Sequence, residues 1–163
     1  MRLVKALTIA AAAVCAAAAP ASAAQVSAAD PPSLAEALRG AGYEVVAGTD
    51  DTGDPVLDLN MQGYKARLLF FDCDAAHANC GSVQFFAAFD AEGEGLSPAD
   101  AIGFARRYRF ASVTLNASGD PLLRWDVATG QGIPSEVFVD AAAKFLGTVQ
   151  AMGAWLFPRT AGQ

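Results

Sequence analysis

The residues with the most chemical potential lie within one eight-residue run, Cys73-Asp74-Ala75-Ala76-His77-Ala78-Asn79-Cys80. Two cysteines so spaced in an exported chain most simply form a disulfide, which the loop-entropy account values at about 2.5 kcal/mol for so small a ring. The alternative is a zinc site on Cys73, His77 and Cys80, with Asp74 as a further donor, because imidazole and thiolate are borderline-soft ligands. That site needs both thiols reduced, and its spacing matches no common zinc knuckle. Thioredoxin-type redox chemistry separates its cysteines by two residues, whereas here six intervene. His77 is the only histidine, so any Ser-His-Asp or Cys-His site would have to use it. No Gly-x-Ser-x-Gly elbow supplies a serine, and no glycine-rich loop between strand and helix offers a phosphate cradle. Asp50, Asp51, Asp54 and Asp58 stand among turn formers and read as exposed turn aspartates. No catalytic residue and no cofactor is therefore assigned, and the chain does not read as an enzyme.

The second feature is Arg106-Arg107-Tyr108-Arg109-Phe110, the one basic cluster in an acidic protein. Its structural role would be to set cations against the dipole at a helix C-terminus, with ion pairs to nearby aspartates. Its functional alternative is a grip on an anion or acidic peptide by Arg106, Arg107 and Arg109.

Composition bounds what these residues can serve. In 163 residues, 53% are hydrophobic and 17% charged, which excludes a disordered chain and a coiled coil. A net charge of −6 and a pI near 4.6 leave no surplus of cations for phosphates, so nucleic acid is not an expected partner. Mean hydropathy is +0.29, but much of the apolar excess is alanine in the first thirty positions. There Arg2 and Lys5 precede the uncharged run Ala6 to Ala19, Pro20 breaks it, and Ala21-Ser22-Ala23 supplies the small residues of a cleavage site. Residues 1–23 are expected to be a signal peptide that leaves no stable membrane anchor once cleaved. Residues 24–32 read as a flexible leader, 33–158 as one domain and 159–163 as a tail.

The elements that must hold the two clusters follow from pattern. Ser33 to Glu36 reads as a capping box opening a short helix that ends near Arg39, before Gly40 and Gly42. Tyr43–Ala47, Val56–Leu59, Tyr64–Phe71 and Ser82–Phe89 read as strands, separated by turn-forming residues. Lys65 and Arg67 alternate with Tyr64, Ala66 and Leu68, so the outer face of this sheet is expected to be wet. Ser97-Pro98-Ala99-Asp100 caps a second helix, with Ile102 and Ala105 assigned to its apolar side. Phe110–Leu115 and Leu122–Val127 flank a hairpin turn at Asn116 to Pro121. The last helix opens at Pro134-Ser135-Glu136, carries an apolar stripe at Phe138, Ala142, Phe145, Val149, Met152 and Leu156, and closes at Pro158. The fold class is α+β: a mostly antiparallel sheet of about six strands with three helices, in the order α-β-β-β-β-α-β-β-α. The stripe with Phe145, Trp155 and Leu156 reads as core, or as a dimer or client surface where a flank is left uncovered.

The run from Gly42 to Phe157 resembles the YbjN domain family, bacterial proteins labelled sensory transduction regulators. Four segments carry the resemblance: Cys73 to Cys80 leading into Val83–Phe89, Arg106 to Phe110, Ser118-Gly119-Asp120-Pro121 through Asp126-Val127, and the Phe145 to Phe157 helix. The family pattern has Trp-Asn before the arginine segment, where this chain has Phe104-Ala105. The resemblance implies a twisted antiparallel sheet with helices, similar to the type III secretion chaperones and often paired as dimers, with no catalytic residues to transfer. The expectation is a periplasmic or secreted, non-enzymatic binding or regulatory protein, chaperone-like towards a polypeptide partner or paired as a homodimer; the alternatives are a metal-binding protein using the Cys73 to Cys80 loop and a structural envelope component.

Overall fold

A computed structural model of the chain describes residues 24–91 and 95–157. The signal peptide expected at 1–23, the closing Pro158 and the tail at 159–163 lie outside the described residues.

The main sheet has six strands: β2 (Glu44–Thr49), β3 (Pro55–Met61), β4 (Tyr64–Phe71), β5 (Ser82–Ala88), β6 (Ser112–Leu115) and β7 (Pro121–Ala128). They lie in the order β2-β3-β4-β5-β7-β6, and every neighbouring pair is antiparallel. Three helices complete the domain: α1 (Pro31–Gly40), α2 (Pro98–Arg107) and α3 (Ser135–Leu156). Tight turns at Gln62-Gly63 and Asn116 to Asp120 make hairpins of consecutive strands, so the α+β architecture and the order of these six strands and three helices stand as expected.

The core lies between one sheet face and the helices. Leu57, Leu68, Phe85 and Trp125 sit opposite one another across four strands. Phe138, Ala142, Phe145, Val149 and Met152 of α3 are at most 1% exposed, so the expected stripe is the buried one up to its last member, Leu156, which is only partly buried at the helix end. Phe85 joins the two layers, its ring centroid 5.5 Å from Phe138 and 5.4 Å from Phe145. Leu34 and Leu38 close the core from α1.

Three local expectations are corrected. Residues 24–32 are not a free leader: Gln25–Val26 form a short strand, β1, paired with β8 (Ile133–Pro134), and Val26 and Ala28 are buried. The Ala28 N–H donates to Thr129 Oγ1 at 2.9 Å, so the entering chain is tied to a point 101 residues away. Helix α1 starts two residues before Ser33, because Pro31 and Pro32 have φ already set for a first turn where their missing N–H groups cost nothing. The Ser33 hydroxyl donates back to the Asp30 carbonyl instead of capping. In α2 the inward residues are Ala101 and Phe104, while Ile102 is 56% exposed and Ala105 is exposed too. The face is set by aromatic packing, with Phe104 lying 4.4 Å from Tyr108 and 5.4 Å from Trp155 between ring centroids.

The cap of α2 forms as a full capping box. Ser97 Oγ accepts from the Asp100 N–H, and Asp100 accepts from the Ser97 N–H and hydroxyl. These bonds, the hydroxyl first, hold the Asp100 carboxyl below the usual carboxylate range. Ser97→Ala is expected to cost about 1 kcal/mol, read as a lowered urea midpoint with an unchanged slope. Just before this cap, Gly95 (φ 69°) meets the β6–β7 turn so closely that a Cβ would lie 2.6 Å from the Ser118 carbonyl oxygen. A side chain there would force the two backbones apart.

Candidate functional site

The eight-residue cysteine run connects β4 to β5, and its two sulfurs are bonded to each other. Cys80 is buried in the core and Cys73 packs against it, so the disulfide anchors the loop to the domain. Asp74 organises the interior of the loop. It accepts from the Asn79 amide at 2.7 Å, the Ala76 N–H at 2.9 Å and the Ala78 N–H at 3.1 Å. Those donors, the Asn79 amide foremost, lower its pKa. His77 turns away from the sulfurs. Its Nδ1 lies 2.8 Å from Asp54 Oδ1 in the β2–β3 turn, and its ring lies over Gly53, where a Cβ would come within 3.3 Å. Cys73, His77 and Cys80 therefore do not converge, and no group of three His, Cys, Asp or Glu able to hold a metal occurs among the described residues. The loop is a clasp between two turns at one end of the sheet.

The arginine cluster divides among separate contacts. Arg107 lies over the Trp155 ring at 5.8 Å and Arg109 over Phe110 at 5.1 Å, and all three arginines are exposed. Arg106 and Arg107 do stand in the last turn of α2, against its dipole. The expected ion pairs to aspartate are absent among the described residues, where the pairs are Arg67–Asp58, His77–Asp54 and Lys144–Asp140. The two rings take up Arg107 and Arg109 instead.

The sequence reading expected the face of the sheet turned away from the helices to be wet and placed no site residue on it. One continuous row crosses all six strands: Val46, Asp58, Arg67, Phe86, Arg124, Ser112. Beside it runs a second row, Gly48, Val56, Leu69, Gln84 and Asp126. Lys65 and Arg67 are exposed as expected, but they share the face with apolar groups. Around Phe86, a depression of about 440 Å³ is lined by Glu44, Val46, Asp58, Arg67, Phe86 and Ala88 among others. Its charged groups bridge strands: Arg67 Nε donates to Asp58 at 2.8 Å, Asn60 Nδ2 donates to Glu44 at 2.9 Å, and the Arg124 guanidinium lies 5.2 Å from the centre of the Phe86 ring. Exposed pairs of this kind are worth at most about 1 kcal/mol, so they orient the rim more than they hold the fold. The lining contains no histidine, cysteine or serine. Such a surface offers apolar area and a pattern of both charges.

A signal for this face does exist in the sequence. Val45-Val46, Val56-Leu57, Leu68-Leu69, Phe85-Phe86 and Leu122-Leu123 are apolar doublets within strands. Successive residues of a strand point to opposite faces, so each doublet must put one apolar side chain on the outer side.

Residues 30–158 match the model of the YbjN family, described as "Putative bacterial sensory transduction regulator". The chain belongs to the YbjN family. A search of curated proteins finds no match. Among solved structures, the YbjN domain is similar to an uncharacterized protein from Methanothermobacter thermautotrophicus, with TM-score 0.57 and 11% sequence identity over 80% of this chain and 98% of that one. At that identity the likeness is one of fold. The family description is of a regulator and not of an enzyme. No helix among the described residues of this YbjN protein is long and apolar enough to cross a membrane.

Proposed function

We propose that this YbjN protein is an exported, non-enzymatic binding or regulatory protein, periplasmic or secreted, that holds a polypeptide partner on the open face of its sheet in a chaperone-like manner. The observation that carries the reading is the row from Val46 to Ser112, in which apolar groups and both signs of charge are set on a sheet surface outside the core that the described helices cover. An amphipathic segment fits it, because its apolar side chains would fill the depression around Phe86 while its charges met Asp58, Arg67 or Glu44. Export is supported by the charged, alanine-rich and small-residue sequence of positions 1–23 and by a disulfide of the kind that persists outside the cytosol.

Photo-crosslinking in native cells tests the reading. A photoreactive residue at Ala88, exposed and lining the depression, is expected to trap one reproducible polypeptide, and Phe86→Ala should abolish that adduct. The same probe at exposed Glu36 of α1 should trap none. Equal labelling from both positions, or bare protein from Ala88, would sink the proposal.

A further inference from the structure

The open face carries charge of both signs, but the signs are sorted by strand. Around the depression Glu44 and Asp58 stand on β2 and β3, while Lys65 and Arg67 stand on β4 and Arg124 on β7. Both acids are engaged within the protomer, Asp58 by Arg67 Nε at 2.8 Å and Glu44 by the Asn60 amide at 2.9 Å. Lys65, which is exposed, and Arg124 have no acidic partner among the described residues. The charge left over on this face is therefore positive, and it lies to either side of Phe86.

Arg124 is the better fixed of the two cations. It sits directly opposite Phe86 in the β5–β7 register, its guanidinium 5.2 Å from the centre of that ring, and its Nη1 donates to Thr114 Oγ1 on β6 at 2.6 Å. The residue is partly buried, and a cation drawn out of water without a counter-ion forfeits hydration that an anion would replace. An acid does stand two residues further along the same face of β7, Asp126. Asp126 instead accepts from Gln84 Nε2 on β5 at 2.7 Å and leaves Arg124 unpaired. Thr114 takes one N–H of the guanidinium, and the planar fork has others to give a carboxylate. An oriented arginine beside an exposed aromatic ring is the pairing that most often anchors a bound polypeptide.

We propose that Arg124, with Lys65 on the β4 side of Phe86, is a carboxylate-binding subsite: the polypeptide on the open face sets an Asp or Glu side chain against Arg124 and a neighbouring apolar side chain against Phe86. The subsite rests on the reading that a polypeptide occupies this face, and adds the chemistry of the residue recognised there. The sorting by strand also orients the segment. Its acidic residue lies over β5 and β7, and any basic residue over β2 and β3, where Asp58 and Glu44 have acceptor positions to spare.

An array of C-terminally amidated peptides, each with Phe or Leu flanked by Asp and Glu, by Lys and Arg, or by Ser, tests this with the purified protein. The acidic peptides are expected to bind about tenfold more tightly than the serine ones, as for one charge-assisted hydrogen bond. Arg124→Glu should turn the preference toward the basic peptides, which a loss of structure alone would not do. Lys65→Glu, at an exposed position, should move the preference the same way and covers the case of an Arg124 variant that does not fold. A preference for basic or neutral peptides, binding only by peptides with a free C-terminal carboxylate, or an acidic preference indifferent to both variants overturns the subsite. In cells, Arg124→Gln should lower the yield of the Ala88 photo-adduct about tenfold, by the same arithmetic. An undiminished adduct would overturn the subsite and leave the polypeptide reading standing, whereas no adduct from the unsubstituted protein would end both.

Discussion

Phe85→Ala is expected to remove about 3–5 kcal/mol of stability, a large share of what a domain of this size possesses. Phe85 is fully buried at the centre of β5, and its ring lies against both Phe138 and Phe145. Truncation therefore costs the transfer of the ring from water and also leaves a cavity between sheet and helix, which neither backbone can close without breaking its own hydrogen bonds. Urea unfolding followed by far-UV circular dichroism reads the loss as a drop in midpoint at constant slope. Phe85→Leu keeps most of the volume and should cost less. A Phe85→Ala loss below about 1 kcal/mol would mean that α3 does not pack on this sheet face as described.

The contrast with Phe86 explains much of what the sequence did and did not disclose. Adjacent phenylalanines in one strand face opposite ways, and only the helix-covered side buries its member completely. Strand positions were legible because each run of Val, Leu and Phe is bounded by Asp, Gly or Pro, and the Tyr64–Phe71 strand occurs as read. Helix α3 was legible because a single stripe of 3-4 spacing runs its length. The buried face of α2 was not, although its cap and extent were, since Ile102 with Ala105 and Ala101 with Phe104 are both plausible stripes by spacing alone. Contact with Trp155, far along the chain, selects the second.

Long-range partners account for the other differences. Nothing local to Gln25-Val26 announces a strand, because its pairing among the described residues is with Ile133-Pro134. The local composition of Ser, Ala and Pro reads as a linker until that partner is known. His77 likewise sits four residues from one cysteine and three from the other, which invites a shared site, yet its contact is Asp54, 23 residues away. The zinc alternative rested on ligand type, imidazole and thiolates within one short loop, and its spacing matched no common zinc knuckle. The left-handed conformations of Asp72, His77 and Asn79 shape the loop so that the imidazole leaves the sulfurs behind.

The Cys73–Cys80 bond provides the second large effect. Cys73→Ser is expected to lower stability by about 2.5 kcal/mol under oxidising conditions and to change it little in reductant, where the unsubstituted chain has also lost its crosslink. Cys73 is the position to change because it is only partly buried, whereas a serine at Cys80 would carry a hydroxyl into the core and confound crosslink with packing. The reduced loop would still be held by the three hydrogen bonds to Asp74, by the Gly81 N–H on the Phe71 carbonyl and by His77 on Asp54. Local structure is therefore expected to survive reduction, with the lost stability residing in the freedom that the unfolded chain regains. Paired urea titrations with and without reductant check this. An equal loss in both would place the contribution of Cys73 in packing against Cys80 and its neighbours, and would remove the disulfide as an argument for an oxidising compartment.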